Sequence, residues 1–314
     1  MTSQIVVAGG INMDLFIEAE RFPRPGETFE GEHFSTGGGG KGANQAVAVA
    51  RIAGRKSAVE LVGRVGDDLF GAELLRNLRS YGVGVAGVQV AQGESSGVAL
   101  IFSDATKQNR VLPVYGANAT CGEAQVADAT RLVKGARALL VQQEIPLDVT
   151  LRCMEAARTR GATVFLDPGP ARDLPDGFLR AADIVHPNQV EAEALSGVEV
   201  TTVESAARAA AAIRVQGVPV VIVKLGPDGC FVDSEEFTGH VPTFEVEVVA
   251  TVAAGDAFAG GLAVGLSEGL SLRDAVVMAN AAGALCVSKP GAQDSMPSRD
   301  EVDAMVRTGR LLRG

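Results

Sequence analysis

Short apolar runs, each followed at once by glycine or small polar residues, recur along this chain and constrain its fold more than any other feature. The runs are Ile5–Ala8, 58–65, Ala138–Val141, Thr163–Leu166, Ile184–Val185 and Val220–Lys224. Segments with helical periodicity fill most of the gaps, at 43–53, 70–80, 121–133, 148–160, 202–216, 257–267, 272–287 and 299–307. Strands that alternate with helices are typical of a doubly wound, mostly parallel sheet. The loops after such strands meet along one edge, where we expect the functional site.

Two further pairs of segments do not fit the parallel sheet. They are 15–20 with 28–35, and 97–102 with 110–115. Alternating segments joined by polar or Pro/Gly-rich turns predict paired strands. We expect these strands, drawn from about 14–36 and 97–115, to form a small lid whose apolar face covers the substrate or a second copy of the chain. Because no linker or internal repeat divides the sequence, 1–314 is predicted to be one domain carrying this lid.

The composition excludes several classes of function. A formal net charge of −10 argues against a surface for nucleic acids or anionic membranes. No apolar run approaches the ~20 residues that a membrane-spanning helix needs, and the first residues lack the features of a signal peptide. Four widely spaced cysteines, without a neighbouring histidine, fit neither a zinc site nor a disulfide framework. These features predict a cytoplasmic protein without nucleic-acid or membrane partners.

The stretch 250–263 places a turn of small residues between a predicted strand at 246–249 and a predicted helix. Ala254 and Gly255 let another molecule approach the backbone closely. The N–H groups of Ala254, Gly255 and Asp256 are expected to be unpaired at the helix start, where they attract an anion. Asp256 has the chemistry of a general base that removes a proton from a hydroxyl while the amides hold charge moving onto a phosphate. Asp is also a favoured N-cap residue, so this stretch alone leaves a plain helix cap as the alternative.

A glycine-rich segment at 37–42 precedes the first predicted helix. It is not a Walker A loop, because Gly42 rather than Ser or Thr follows Lys41. Its glycines allow a polyhydroxylated ligand to approach, with Lys41 and Asn44 as donors, and a flexible loop without a ligand is the alternative. Asn12 and Asp14 follow the first strand, where open α/β sheets bind ligands, although both residue types are also ordinary turn formers.

Eight short blocks recur in order along the chain, at 10–14, 22–27, 39–46, 93–102, 116–118, 187–193, 253–256 and 291–293. Each is weak by itself, but together, at similar spacing, they resemble the ribokinase-like (PfkB) carbohydrate kinases over nearly the whole chain. The resemblance implies a three-layer α/β/α sandwich with a β-sheet lid. It also implies transfer of the γ-phosphate of ATP, with Mg²⁺, to a sugar hydroxyl. D-ribose is the expected acceptor, giving ribose 5-phosphate.

The resemblance also implies roles for individual residues. Positions that match the sugar-holding residues of the family are Asn12, Asp14, Gly40, Lys41, Asn44 and Glu144. Asp256 matches the catalytic base, and Ala254 and Gly255 match the anion hole. Asn188 matches a motif tied to phosphate handling, and Glu191 in the same motif is tied indirectly to Mg²⁺. The nucleotide-binding strip is matched by Lys224, Gly226, Gly229 and Asn280.

The chain departs from the family pattern at several positions. Ala250 stands where the family usually has an Asp that helps coordinate potassium. The other positions matching that monovalent-cation site are Val252, Cys286, Lys289, Gly291 and Ser295. Because hard cations need oxygen ligands, we expect potassium activation to be weak or absent. Lys224 replaces a usual Thr, with ATP phosphates or solvent as its alternative surroundings. Pro113 and Tyr115, in the lid turn 108–115, leave the identity of the sugar open.

Three alternatives compete with a ribose kinase. A related kinase of a ketohexose or a nucleoside uses the same chemistry, although the few aromatic residues of the lid disfavour a nucleobase. A non-catalytic relic that binds sugar or nucleotide is suggested by Ala250 alone. A dinucleotide-dependent dehydrogenase is excluded, because no Gly-x-Gly-x-x-Gly follows the first strand. The second apolar face of the lid predicts a homodimer through the lid.

Overall fold

Strands and helices alternate through most of the computed structural model, which describes residues 5–54, 59–105 and 109–309. The strands of these ranges are β1 (Ile5–Ala8), β2 (Asn12–Glu18), β3 (His33–Gly39), β4 (Val59–Gly66), β5 (Gly84–Ala91), β6 (Gly97–Ser103), β7 (Asn109–Val114), β8 (Ala138–Val141), β9 (Thr163–Leu166), β10 (Ile184–Val185), β11 (Val220–Lys224), β12 (Cys230–Asp233) and β13 (Gly239–Val241). The α-helices are α1 (Lys41–Ala53), α2 (Leu69–Ser80), α3 (Glu123–Leu132), α4 (Leu147–Arg158), α5 (Gln189–Ser196), α6 (Val203–Arg214), α7 (Ala254–Ser267), α8 (Leu272–Val287) and α9 (Arg299–Thr308).

The main sheet has nine strands in the order β13-β12-β11-β10-β9-β8-β1-β4-β5. All neighbours from β11 to β5 are parallel, whereas β12 and β13 are antiparallel at one edge. Because β1 lies between β4 and β8, the sheet extends from it in both directions. The carboxyl end of β1 is therefore a topological switch point, where open sheets form a ligand crevice. The predicted doubly wound sheet is confirmed.

Helices cover both faces of this sheet. One apolar core packs side chains of α1, α2, α7, α8 and α9 against the sheet, and the other packs those of α3 to α6. Strands buried on both faces are apolar at every position, as β1 and β8 are. Small residues bring α1 and α7 unusually close, since a Cβ at Gly260 would lie 2.6 Å from Ala48 Cβ. The predicted three-layer sandwich is confirmed, and the close contact aligns the first turns of α1 and α7.

A separate four-stranded sheet forms the lid, in the order β3-β2-β6-β7. β2 and β6 are parallel, and the two outer pairs are antiparallel. Two lid strands are shifted from their predicted positions. β2 begins earlier, at Asn12 instead of 15, and β3 ends later, at Gly39 instead of 35. The glycines of β3 pair with Asn12–Asp14, so a stretch that was interpreted as a loop is part of the lid.

Other local predictions were wrong. Residues 246–249 form no strand in the described chain, and Val248 and Val249 are exposed. β5, β12, β13 and α5 were not predicted. Position 58 of the second predicted run, and position 108 of the lid turn, lie outside the described residues. No helix within the described ranges is long and apolar enough to cross a membrane.

Candidate active site

Asp256 lies in the first turn of α7 and is 5% exposed. Its carboxylate accepts hydrogen bonds from Asn44 Nδ2 at 3.0 Å and Gln45 Nε2 at 3.1 Å, both on α1. The N-cap of α7 is Ala253, with a left-handed φ of 61° and no side-chain cap. Asp256 is therefore not a helix cap, which removes the alternative that the sequence left open. The strained conformation of Ala253 is of the kind found at functional sites.

Two backbone amides next to Asp256 are free to bind an anion. The N–H of Asp256 itself donates to Ala253 O at 3.0 Å, so the predicted set of three amides is reduced to two. The N–H groups of Ala254 and Gly255 have no acceptor among the described residues, as expected for the first positions of a helix. These amides and the positive end of the α7 dipole together attract negative charge.

A second carboxylate, Asp167, was not predicted as a site residue. It follows β9 directly and is fully buried. Lys41 Nζ lies 3.1 Å from its Oδ2, and Gln45 Nε2 also lies 3.1 Å from this oxygen. Gln142 donates to Gln45 Oε1, which orients the Gln45 amide so that its donor faces both carboxylates. The sequence signal for Asp167 is its position directly after the predicted strand Thr163–Leu166.

The lid and the main sheet together supply the polar groups predicted to hold a sugar. Asn12 and Asp14 lie on β2, and Asp14 is 5% exposed. A Cβ at Gly39 would lie 2.1 Å from Asp14 Oδ2, so this glycine makes room for the carboxylate. Asn118, a second missed residue, donates to Asn12 Oδ1 at 2.8 Å and to Ile11 O at 3.0 Å. It fixes Asn12 relative to β1.

Glu144 lies in the loop after β8, the strand next to β1. Its Oε2 accepts a hydrogen bond from Lys41 N at 2.8 Å, at the first residue of α1. Gly40 caps that helix with a φ of 86°, and a Cβ there would lie 2.7 Å from Gly10 O. A Cβ at Gly10 would lie 2.3 Å from Glu144 Oε2. The absence of side chains at Gly10 and Gly40 therefore leaves room for Glu144 and the start of α1 to meet at the end of β1.

Burial and mutual repulsion disfavour the charged forms of three carboxyl groups. Burial, together with Glu144 and Asp256, raises the pKa of Asp14 to about 7. Burial raises the pKa of Glu144 to about 7 in spite of Lys41, and that of Asp256 to about 6 against the same cation. Burial also opposes the charge of Asp167, but Lys41 and Lys224 hold its pKa below the ordinary value. Asp256 is thus ionised at neutral pH and has a raised affinity for a proton, as a general base needs.

Asn188 and Glu191 form a capping box at the start of α5. Asn188 Oδ1 accepts from Glu191 N at 2.9 Å, and Asn188 N donates to Glu191 Oε2 at 2.8 Å. Glu191 is 5% exposed, and burial and Asp167 raise its pKa. Its other oxygen, Oε1, accepts no hydrogen bond among the described residues. The part of the chain that is described holds no cluster of three metal-ligating side chains, so Glu191 fits only an indirect or shared role with Mg²⁺, whose main ligands are substrate phosphates and water.

The predicted nucleotide strip lies beyond β11. Gly226 and Gly229 both have left-handed φ, and a Cβ at Gly229 would lie 2.2 Å from Val241 O. Asn280 donates to the carbonyl groups of Val241 and Pro242 at 3.2 and 3.1 Å. Its amide therefore holds the wall of the strip in place.

The predicted monovalent-cation site lacks a side-chain carboxylate among the positions assigned to it. Ala250 supplies no carboxylate, and its N–H donates to Val287 O. The Ser295 hydroxyl lies 3.1 Å from the Cys286 thiol and donates to Ala292 O. Lys289 Nζ is 2.5 Å from Glu301 and so adds a paired cation near the loop. Val252 and Gly291 retain only backbone oxygens to offer, and Val252 O accepts from Cys286 at 3.6 Å.

Known proteins resemble this chain over nearly its whole length. The chain is similar to the ribokinase of Haemophilus influenzae, with 35% identity over 96% of this chain and 97% of that protein. It is 34% identical to a deoxyribokinase of Salmonella typhi, over 95% of this chain and 96% of the relative. The structure of Arabidopsis thaliana ribokinase complexed with ribose and ATP superimposes with a TM-score of 0.90 at 33% identity, covering 98% of this chain and 99% of the other. The model of the pfkB family carbohydrate kinases matches residues 2–299, and the chain belongs to this family of carbohydrate kinases.

Proposed function

We propose that this carbohydrate kinase transfers the γ-phosphate of ATP to D-ribose, giving ribose 5-phosphate. The observation that carries the proposal is the position of Asp256, a buried carboxylate with raised pKa beside the free amides of Ala254 and Gly255. The similarity to ribokinases, one of them bound to ribose and ATP, supports both substrates. The sandwich and its lid then act as one domain over 1–314.

Asp256 accepts the proton of the attacking sugar hydroxyl as the new bond to phosphorus forms. Ala254 and Gly255 N–H hold the charge on the transferring group, because phosphoryl transfer depends mostly on positioning and electrostatics. Asp14 and Glu144 accept hydrogen bonds from sugar hydroxyls, while Asn12, Asn44 and Lys41 donate. Their positions on β2, α1 and the loop after β8 surround one end of β1.

ATP and Mg²⁺ are expected to bind beyond β10 and β11. Asn188, Lys224, Gly226, Gly229 and Asn280 belong to the walls of this strip, and Glu191 Oε1 is available to the metal through water. Mg²⁺ supplies charge neutralisation between phosphate oxygens. The residues around Ala250 do not fit potassium, so we propose that the reaction does not require it.

Deoxyribose is a second candidate acceptor, because the chain is 34% identical to a deoxyribokinase. The two acceptors differ by one hydroxyl, which a site built to bind that group distinguishes strongly.

We also propose a homodimer formed through the lid, in the cytoplasm. Phe34, Leu112 and Val114 lie on one face of the lid by strand register and are 67%, 65% and 55% exposed. A two-fold contact between lids would cover this patch. All four cysteines are free and buried, which supports a reducing compartment.

The test is a coupled assay of ADP release over ribose, deoxyribose, ketohexoses and nucleosides, with Mg-ATP and an Asp256→Asn control. Turnover on ribose that is lost in the control supports the proposal. Turnover on another acceptor alone replaces ribose in the proposal, and no turnover on any acceptor contradicts it.

A further inference from the structure

Lys224 is a partly buried cation that forms no direct ion pair among the described residues, although its charge lowers the pKa of Asp167. It is the last residue of β11, and its N–H donates to Pro187 O at 2.9 Å, which fixes the start of the side chain. Among the described lysines, Lys41 and Lys289 form ion pairs, with Asp167 and Glu301. The Lys224 ammonium has neither a carboxylate within 4.0 Å nor a hydrogen-bond acceptor in the described ranges.

The head of Lys224 lies against the first turn of α7. A Cβ at Gly255 would be 3.2 Å from Lys224 Nζ, and Nζ lies 6.0 Å from the centre of the Phe258 ring. The ammonium is therefore beside the free N–H groups of Ala254 and Gly255 and the positive end of the helix dipole. The ammonium and the start of α7 are both positive, so an anion that contacts both is attracted by both.

Asp256 limits which anion this is. It is the residue after Gly255, so an anion held by Lys224 and the two amides lies within one helical turn of the carboxylate that accepts the hydroxyl proton. Lys41 does not provide the same charge, because its ammonium is bound to Asp167. Lys224 is thus the unpaired ammonium nearest to the predicted point of phosphoryl transfer in the described chain.

We propose that Lys224 is a catalytic residue that contacts the transferring γ-phosphoryl group together with the amides of Ala254 and Gly255. The inference rests on the proposed function and adds a residue to it. In the step, the sugar oxygen forms a bond to the γ-phosphorus, the bond from that phosphorus to the bridging oxygen breaks, and ADP leaves with the electron pair. The hydroxyl proton goes to Asp256. Lys224 keeps its proton throughout and stabilises the negative charge on the phosphoryl oxygens. This stabilisation is greatest in the transition state.

Lys224→Met and Lys224→Arg test this role, with Lys134→Met, an exposed lysine after α3, as the matched control. We expect Lys224→Met to lower kcat by about 100-fold, the effect of removing one preorganised donor, while KM for the sugar changes by less than about twofold. Lys224→Arg should recover part of the loss, because the charge is kept. Lys224→Met should not lower the melting temperature, because the ammonium makes no bond in the ligand-free protein.

Calorimetry separates this inference from the proposed function. Binding of ADP with Mg²⁺ is compared with binding of ADP, Mg²⁺ and tetrafluoroaluminate, a planar mimic of the transferring group, for each variant. A loss confined to the tetrafluoroaluminate complex of Lys224→Met supports the inference even if wild type turns over no sugar, a result that would reject only the proposed substrate. Unchanged kcat and unchanged tetrafluoroaluminate binding, or an equal loss of ADP alone, would overturn it.

Discussion

The side-chain amide of Gln45 joins the two buried carboxylates of the site, and its Nε2 lies 3.1 Å from Asp256 Oδ1. The same nitrogen lies 3.1 Å from Asp167 Oδ2. Gln45 is fully buried, so this donor is held away from water. It stabilises the ionised form of Asp256, because a hydrogen bond to a carboxylate lowers its pKa.

Replacing Gln45 by Met removes this donor at nearly constant volume. The pKa of Asp256 should rise, and the acid limb of the rate profile should move to higher pH, with a loss of about tenfold near neutrality. The measurement is kcat/KM as a function of pH. Gln125→Met, a buried glutamine of α3, is the control, and a profile of Gln45→Met identical to the control would contradict the role given to Gln45.

Ionisation of Asp256 should control the acid side of the wild-type profile. A general base acts only when deprotonated, so kcat/KM should rise with pH through about 6, the pKa of Asp256. Asp14 and Glu144, with pKa values of about 7, broaden the rise. Asp256→Asn should lose roughly 10²–10⁴-fold in kcat at every pH and still bind sugar in calorimetry. Retention of the wild-type profile by this variant would exclude Asp256 as the base.

Gly39→Ala should weaken sugar binding. The new Cβ would lie 2.1 Å from Asp14 Oδ2, so Asp14 or β3 must move. We expect KM for the sugar to rise by about tenfold or more, since a misplaced charged acceptor costs a hydrogen bond of about 1.5–3 kcal/mol, with KM for ATP little changed. Gly31→Ala, whose Cβ makes only ordinary contacts of 3.5 and 3.6 Å, should behave as wild type. Equal effects of the two variants would contradict the assignment of Asp14.

Potassium should change the rate by less than about twofold, because the Ala250 region lacks the charged oxygen ligand that hard cations need. The test is a titration with potassium chloride against a non-coordinating organic cation at constant ionic strength. Ala250→Asp supplies the missing carboxylate and is expected to acquire a response. Strong activation of wild type at millimolar potassium would show that backbone oxygens suffice.

Leu112→Glu should separate a lid-mediated dimer into monomers, because a charge placed in an apolar contact is strongly unfavourable. Light scattering at micromolar concentration measures the mass of both forms. Val215→Glu, at an 85% exposed position after α6, is the matched control. A monomeric wild type would exclude the dimer. A Leu112→Glu variant that is still a dimer would show that the dimer contact lies outside this patch.

Much of the architecture follows from local sequence. β1, β8, β9, β10 and β11 have the predicted bounds, because apolar runs that end in glycine or polar residues suit strands buried on both faces. The failures have physical causes as well. The valines at 246–249 have strand propensity, but tertiary context decides such segments. The glycines at the end of β3 have low strand propensity. They nevertheless pair with β2, where a side chain at Gly39 would collide with Asp14.

The active site was predicted less completely than the fold. Asp256, Asn12, Asp14, Lys41, Asn44 and Glu144 do converge at the carboxyl end of β1 and the first turns of α1 and α7. The links between them were not predicted. Asp167, Gln45 and Asn118 reach the other site residues through hydrogen bonds that span 106 to 211 positions in sequence, and such partners leave no local pattern. The exclusion of a capping role for Asp256 also required the backbone of Ala253.

The short connection between β1 and β2 makes the lid a part of the sugar site. Only residues 9–11 separate the central strand from the lid strand that carries Asn12 and Asp14. The lid is therefore part of the sugar site rather than a cover over a complete one, because it carries two of the six residues predicted to hold the sugar, Asn12 and Asp14. A lid movement that admits or releases a sugar therefore also displaces Asn12 and Asp14. The affinity for the sugar and its rate of release then depend on the same movement.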